Sequence, residues 1–107
     1  MKAHFCAEYS PEGLKGLMQM GGTGRKEAIE KLCSAMGMQV IDVVFTRGEY
    51  DVVVTVEAPD ETTVLGALVA IKSTGGFTKA TALTEIDMDE ITSHSKKANS
   101  SYNAPNS

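Results

Sequence analysis

The stretch TRGEYDVVVTVEAPD, residues 46–60, contains a turn and a strand whose two ends are both marked. Gly48, in the charged turn Arg-Gly-Glu, allows the chain to reverse direction. The run YDVVVTVE is rich in β-branched residues and predicts a strand over 50–57. Pro59 lacks a backbone N–H and ends this strand, and Asp60 is suited to cap a following helix. The stretch therefore predicts a turn, a strand and a helix start in succession.

The rest of the chain extends this pattern in both directions. The predicted elements are a strand over 2–9, a helix from Pro11 that glycines interrupt at 21, 22 and 24 and that resumes over 23–36, strands over 38–46 and 50–57, a helix over 61–73 and a strand over 77–86. The order β-α-β-β-α-β is that of a ferredoxin-like domain. Right-handed crossovers place both helices on one face of a four-stranded antiparallel sheet, so the fold class is α+β.

Composition limits the functions that this domain performs. The chain has 107 residues and a net charge of −4 without a basic stripe, which argues against binding to nucleic acid. It has no apolar run of membrane-spanning or signal-peptide length, so we expect a cytoplasmic protein that does not bind membranes. Residues 1–91 form the predicted domain. Residues 92–107, rich in Ser, Asn and Lys, predict a disordered polar tail.

The sheet face opposite the helices is predicted to be open and mixed in polarity. Alternation directs Phe5, Ala7 and Tyr9 toward the helices, as it does Ile41, Val43 and Phe45 on the second strand. A second copy of the chain would cover such a face, so we expect a homodimer or a larger homo-oligomer. A cavity between the two sheets would accept a small molecule. The candidate pocket residues are His4, Cys6, Glu8, Tyr50 and Thr55.

Candidate catalytic groups are few. His4 with Asp42 or Asp51 would form an acid–base pair in a site that needs no cofactor, although Asp51 is equally suited to accept hydrogen bonds from the turn. His4, Cys6 and Glu8 share one strand face but span about 13 Å, which is too far for one ion. We therefore predict neither a metal site nor a cofactor. Both cysteines, Cys6 and Cys33, are expected to be free thiols.

The glycine-rich segment GGTGRK, residues 21–26, allows two interpretations. Gly22, Gly24 and Arg25 combine a flexible backbone, a helix start and a cation, which is the composition of an anion-binding loop. The spacing does not match a phosphate-binding P-loop, and no strand precedes the segment. The alternative is a flexible break between the two halves of the first helix.

The block from Gly48-Glu49-Tyr50-Asp51 to Ala58-Pro59-Asp60 resembles the signature of GYD-domain proteins, and the resemblance extends over about residues 3–87. It implies a layout similar to dimeric α/β-barrel proteins and supplies almost no chemistry. The glycine-rich segment and the polar tail depart from the family pattern. Three hypotheses for function stay open: a non-catalytic module that binds a small molecule or a protein, a cofactor-independent enzyme with monooxygenase-like or isomerase-like activity, and a purely structural homo-oligomer.

Overall fold

A computed structural model of the chain describes residues 1–106. Its elements, in chain order, are β1 (Lys2–Tyr9), α1 (Pro11–Ala35), β2 (Gln39–Phe45), β3 (Val52–Glu57), α2 (Glu61–Ser73), β4 (Phe77–Thr84) and α3 (Met88–Ser101).

The four strands form one antiparallel sheet in the order β2-β3-β1-β4, which confirms the predicted ferredoxin-like α+β fold. Helix α1 packs on β1 and β2, and α2 packs on β4. Side chains at alternate positions of β1 and β3 form the centre of the core with Ile29 and Cys33 of α1 and with Val64 and Ala67 of α2. The core therefore fills one face of the sheet, and within residues 1–106 no helix packs on the other face.

Helix α1 is interrupted where the glycines predicted a break. Ser10 caps its start, since its Oγ accepts a hydrogen bond from the backbone N–H of Gly13 at 3.1 Å, and Pro11 takes the first helical position. Gly21 has a φ of 70°, which a side chain would disfavour, and the helix kinks there. The second half then carries Ile29 and Cys33 into the core.

A bulge in β2 corrects one detail of the predicted faces. The pairing with β3 shifts between Val40 and Asp42, so that Ile41 is the extra residue. Val40 packs against the core, whereas Ile41, predicted to be buried, is 51% exposed. Strict alternation failed here because a bulge reverses the side-chain faces on one side of it.

Two turns at one end of the sheet are joined by a close contact. The backbone N–H of Ser10 donates to the carbonyl of Gly76 at 2.9 Å, and the Ser10 hydroxyl donates to the carbonyl of Gly75 at 2.6 Å. Ser10 is buried and couples the β1–α1 turn to the α2–β4 turn. This coupling fixes the start of α1 relative to the start of β4.

The C-terminal segment differs from its prediction. Residues 92–101, expected to be disordered, belong to α3, which Asp87 caps by accepting a hydrogen bond from the backbone N–H of Glu90. Acidic residues in the first turn, Asp89 and Glu90, favour a helix start, and no residue of α3 is buried. The low hydrophobicity agrees with the lack of buried residues in α3, whereas the cap at Asp87 and the acidic first turn favour a helix over a disordered segment.

None of the helices within residues 1–106 has the length and the hydrophobicity of a membrane-spanning segment.

Candidate functional site: an apolar cavity between the helices and the sheet

A cavity of about 60 Å³ lies between α1, α2 and the covered face of the sheet. Its walls come from both layers of the fold: Phe5, Ala7, Val52, Val54 and Phe77 from the sheet, Arg25, Ile29, Leu32 and Cys33 from α1, Met38 from the turn before β2, and Ala67 and Ile71 from α2. Leu32 is 43% exposed, so one wall reaches the protein surface. The lining is apolar except for Arg25 and Cys33, the composition of a site for an apolar ligand group.

Arg25 is held at the wall of this cavity by aromatic side chains. Its Nε donates a hydrogen bond to the hydroxyl of Tyr9 at 3.0 Å. The guanidinium carbon lies 5.7 Å from the ring centroid of Tyr9 and 5.8 Å from that of Phe77, two rings that stack on each other. Such cation–π contacts orient the guanidinium without neutralising its charge.

The charge of Arg25 has no acidic partner in the described part of the chain. None of the ion pairs among residues 1–106 includes Arg25, and its hydrogen bonds to these residues are limited to the bond from Nε to Tyr9. A guanidinium has five N–H donors, so the four on the terminal nitrogens stay available. An unpaired, half-buried cation therefore borders an apolar cavity.

Cys33 is the other titratable side chain of the lining. It is buried and free, as is Cys6, so the prediction of two free thiols is confirmed. Burial raises the pKa of the Cys33 thiol, which disfavours the nucleophilic thiolate at neutral pH. The side chains around the cavity thus offer a cation and an apolar surface rather than a general base.

The open face of the sheet carries a separate polar cluster around His4. Its Nδ1 lies 2.9 Å from the Thr55 hydroxyl on β3, and its Nε2 lies 2.8 Å from Oε2 of Glu85, just past β4. The register explains this geometry, because His4 pairs with Thr55 on one side and with Leu83 on the other. With both ring nitrogens bonded, His4 has none free for another partner unless one of these bonds opens.

The structure does not bring the predicted carboxylate partners to His4. Asp42 pairs with Thr55 and is therefore two strands away from His4, at about 10 Å by the usual strand spacing. Asp51 lies before β3, four residues from Thr55, which is about 13 Å along the strand direction. Glu85 takes the place that was predicted for them.

Asp51 connects strands instead. Its Oδ2 accepts the backbone N–H of Tyr9 at 2.9 Å, its own N–H donates to the carbonyl of Ala7, and its carbonyl accepts the N–H of Thr46. The pairing of β1 with β4 shifts between Glu8 and Tyr9, at the same place. The Asp of the Gly-Glu-Tyr-Asp block therefore holds three strand ends together, in keeping with its interpretation as a structural residue.

The remaining predicted pocket residues are placed apart from the cavity. Cys6 is 9% exposed on the open face, where burial raises the pKa of its thiol. Glu8 accepts a hydrogen bond from the Thr78 hydroxyl at 2.5 Å. Tyr50 precedes β3 rather than beginning it, and the Lys79 ammonium lies 5.0 Å from its ring centroid. These residues were predicted for a cavity between the sheets of two subunits, and none of His4, Cys6, Glu8, Tyr50 and Thr55 lines the cavity between helices and sheet.

Gly22, Gly24 and Arg25, the residues predicted for an anion-binding loop, lie just after the kink of α1 at Gly21. A Cβ atom at Gly22 would lie 3.4 Å from the ring of Phe45, and one at Gly24 would lie 3.2 Å from the Cβ of Met20. Arg25 turns toward Tyr9, while the Lys26 ammonium lies 6.0 Å from the Phe45 ring centroid. The two adjacent cations therefore lie near different aromatic rings, and Gly21 provides the kink in α1.

In the part of the chain that the structure describes, no three His, Cys, Asp or Glu side chains are grouped to hold a metal ion.

Two features of the candidate sites, Glu85 and the cavity, were not predicted from the sequence. The alternation of β4, continued by one step beyond Leu83, reaches Glu85 on the same face as His4. The cavity itself left no signal in the sequence, because it depends on how far apart the helices sit.

Comparisons with known proteins agree with the fold and say little about function. A family model described as the GYD domain matches residues 5–94. A solved structure described as the crystal structure of FFRP-DM1 is similar with a TM-score of 0.52 and 22% sequence identity, and the match covers 79% of this chain and 97% of that chain. At this identity the likeness shows the fold alone. The search of curated proteins found no match.

Proposed function

The chain belongs to the GYD domain family, and we propose that it is a self-associating, non-catalytic module that binds a small molecule in the cavity between α1, α2 and the sheet. The observation that carries this proposal is the cavity of about 60 Å³ with an apolar lining and one unpaired cation. A packed core normally leaves few voids larger than a water molecule. Space of this kind, with a wall open at Leu32, is suited to a ligand.

The size of the cavity limits the ligand to a small one. One water needs about 10–15 Å³ of such space, so the cavity corresponds to about four to six waters. An apolar cavity of about 150 Å³ accepts benzene, so one of about 60 Å³ holds a short branched chain, and an aromatic ring enters it only in part, through the wall that is open at Leu32. The apolar walls give affinity, while the cation supplies orientation.

Self-association is the second part of the proposal, and the open sheet face supports it. Leu83 on β4 is 55% exposed and Val44 on β2 is 45% exposed, in addition to the partly buried Val53. A second copy related by a twofold axis would cover these side chains and the His4 cluster together. In this arrangement the ligand cavity lies on the other side of each sheet, so one subunit suffices to build it.

The experiment is a thermal-unfolding titration with toluene, a neutral apolar probe whose methyl end is small enough to enter the cavity. Binding to the folded state raises the unfolding midpoint as the toluene concentration exceeds its dissociation constant. Ala67→Leu places extra methyl groups in the cavity wall, because Ala67 is buried there, and is expected to abolish the toluene effect.

Ala70→Leu, on the exposed side of the same helix, is the matched control and should keep the full effect. The absence of stabilisation by toluene in the wild type would contradict the proposed cavity site. An equal response in the wild type and in the Ala67 variant would place binding elsewhere.

A cofactor-independent enzyme is the second candidate, and the hydrogen-bond chain from Thr55 through His4 to Glu85 favours it. A hydroxyl bonded to an imidazole that a carboxylate orients is the arrangement of an activated nucleophile. A test is the turnover of a p-nitrophenyl ester by wild type, Thr55→Val and Glu85→Gln. Turnover that depends on both side chains would favour the enzyme, and its absence would remove Thr55 as a nucleophile while leaving the predicted monooxygenase-like or isomerase-like activity to a separate assay.

A further inference from the structure

Resting on the proposed small-molecule site, we infer that its ligand is a small apolar carboxylate, with the apolar part in the cavity and the carboxylate on the guanidinium of Arg25. Neither the family match nor the similar structure indicates a ligand class. The inference rests on how this one cation is placed.

The first supporting observation is the unpaired charge of Arg25. In the described residues the guanidinium has no carboxylate partner, although the chain is acidic overall. An unpaired charge at the edge of an apolar region is costly to the extent that it is removed from water. A ligand that brings the missing negative charge would remove this cost.

The second supporting observation is the set of contacts that orient Arg25. Arg25 Nε donates to the Tyr9 hydroxyl, and the guanidinium carbon lies 5.7 Å and 5.8 Å from the ring centroids of Tyr9 and Phe77. These contacts restrict the guanidinium and leave the N–H groups of its terminal nitrogens without a partner in the described residues. Two parallel hydrogen bonds from such a fork match the two oxygens of a carboxylate.

The surroundings of the carboxylate carry the third step. Phe77, whose ring supports the guanidinium, also lines the cavity together with Ile29 and Ile71. A carboxylate on Arg25 thus has its apolar substituent directed to these side chains when the ligand enters. An anion without an apolar part, such as inorganic phosphate, would gain nothing from that apolar lining.

The test measures the binding of three probes by isothermal titration calorimetry: benzoate, its nearly isosteric neutral analogue benzamide, and toluene. Hydrogen bonds to a charged group are strong enough that benzoate should bind the wild type about tenfold or more tightly than benzamide. Arg25→Met keeps an apolar stem and removes the fork, so the preference for benzoate should disappear while toluene binds within about twofold of the wild type.

Lys26→Met is the matched control, since it removes the neighbouring cation, which does not line the cavity. It should keep the preference for benzoate. Arg25→Lys keeps a charge but loses the two-pronged geometry, so a reduced preference is expected even if the Met variant does not fold.

The outcomes separate this inference from the function on which it rests. If toluene binds and benzoate shows no advantage over benzamide, the carboxylate inference is overturned and the cavity site stands. A preference for benzoate that survives in both Arg25 variants would equally overturn the role of Arg25. If none of the three probes binds the wild type, the inference and the proposed function fail together.

Discussion

At the scale of single residues, Gly13 lies where the β1–α1 turn contacts the α2–β4 turn most closely. A Cβ atom at this position would lie 2.0 Å from the carbonyl oxygen of Gly76, which is the acceptor of the Ser10 N–H. The neighbouring atom belongs to the backbone and cannot rotate away. A side chain at Gly13 would therefore force the two turns apart.

We expect Gly13→Ala to lower the free energy of unfolding by about 1–3 kcal/mol, the usual cost of overpacking. Urea unfolding followed by circular dichroism measures this change. Gly16→Ala is the control, because a Cβ there meets nothing within 4 Å. In that variant, removing a helical glycine should raise stability by about 0.5–1 kcal/mol. Equal effects of both substitutions would contradict the close contact.

Asp60 links the end of β3 to α2 and responds to pH. Hydrogen bonds from the side-chain hydroxyl and the backbone N–H of Thr63, both 2.7 Å long, hold the pKa of Asp60 below its ordinary value. A carboxyl group whose pKa is lowered by folding stabilises the fold above its unfolded pKa, about 3.9. That contribution is lost as the pH falls through the lower pKa of the folded state.

The matching variant is Asp60→Asn, which still caps a helix but has no carboxyl group to titrate. The difference in free energy of unfolding between wild type and variant should be constant above about pH 4 and should then shift against the wild type in acid. Urea unfolding at a series of pH values measures it. A difference that stays constant through the acid range would show that the capping bonds do not favour the ionised form.

Several residue roles followed from the sequence, and others depended on tertiary packing. The capping by Ser10 and Asp60 is confirmed, because capping depends on a few adjacent residues. The position of Arg25 was not predictable, since Tyr9 and Phe77 reach it from distant strands. The partner of His4 was assigned to Asp42 or Asp51, while Glu85 occupies that place because of the strand register.

At the scale of elements, the sequence predicted where strands and helices lie along the chain better than which of their side chains are buried. Residues 61–73 form α2 over the predicted range, since Pro59, Asp60 and Gly75 mark its ends. The bulge at Ile41 changes which side chains of β2 face the core. The sequence did not reveal it, because apolar residues stand on both sides of the change of register. Helix α3 formed where a polar composition indicated no structure.

We expect α3 to contribute little to the stability of the domain, since none of its residues is buried. A truncated chain that ends at Asp87 should unfold within about 0.5 kcal/mol of the full chain, as is usual for exposed positions. Differential scanning calorimetry on both proteins measures this. A large drop in the unfolding temperature would instead indicate that α3 packs on a second copy of the chain.

At the scale of the whole molecule, the two faces of the sheet have different roles in this account. The covered face builds the cavity, and the open face is proposed to pair with a second copy. Leu83→Glu places a charge on the open face and should convert an oligomer into a monomer in light scattering. Leu65→Glu, at a similarly exposed position on α2, should leave the oligomer intact. A monomeric wild type would contradict the proposed self-association.

The most direct test of the cavity is a methyl-resolved NMR titration of the wild type with toluene. Val53 and Val54 are neighbours on β3, but Val54 lines the cavity whereas Val53 pairs with Cys6 on the open face. With toluene in the cavity, the methyl signals of Val54, Ile29 and Ile71 should shift while those of Val53 and Thr55 stay in place. Shifts confined to Val53 and Thr55 would move the ligand site to the open face and contradict the account.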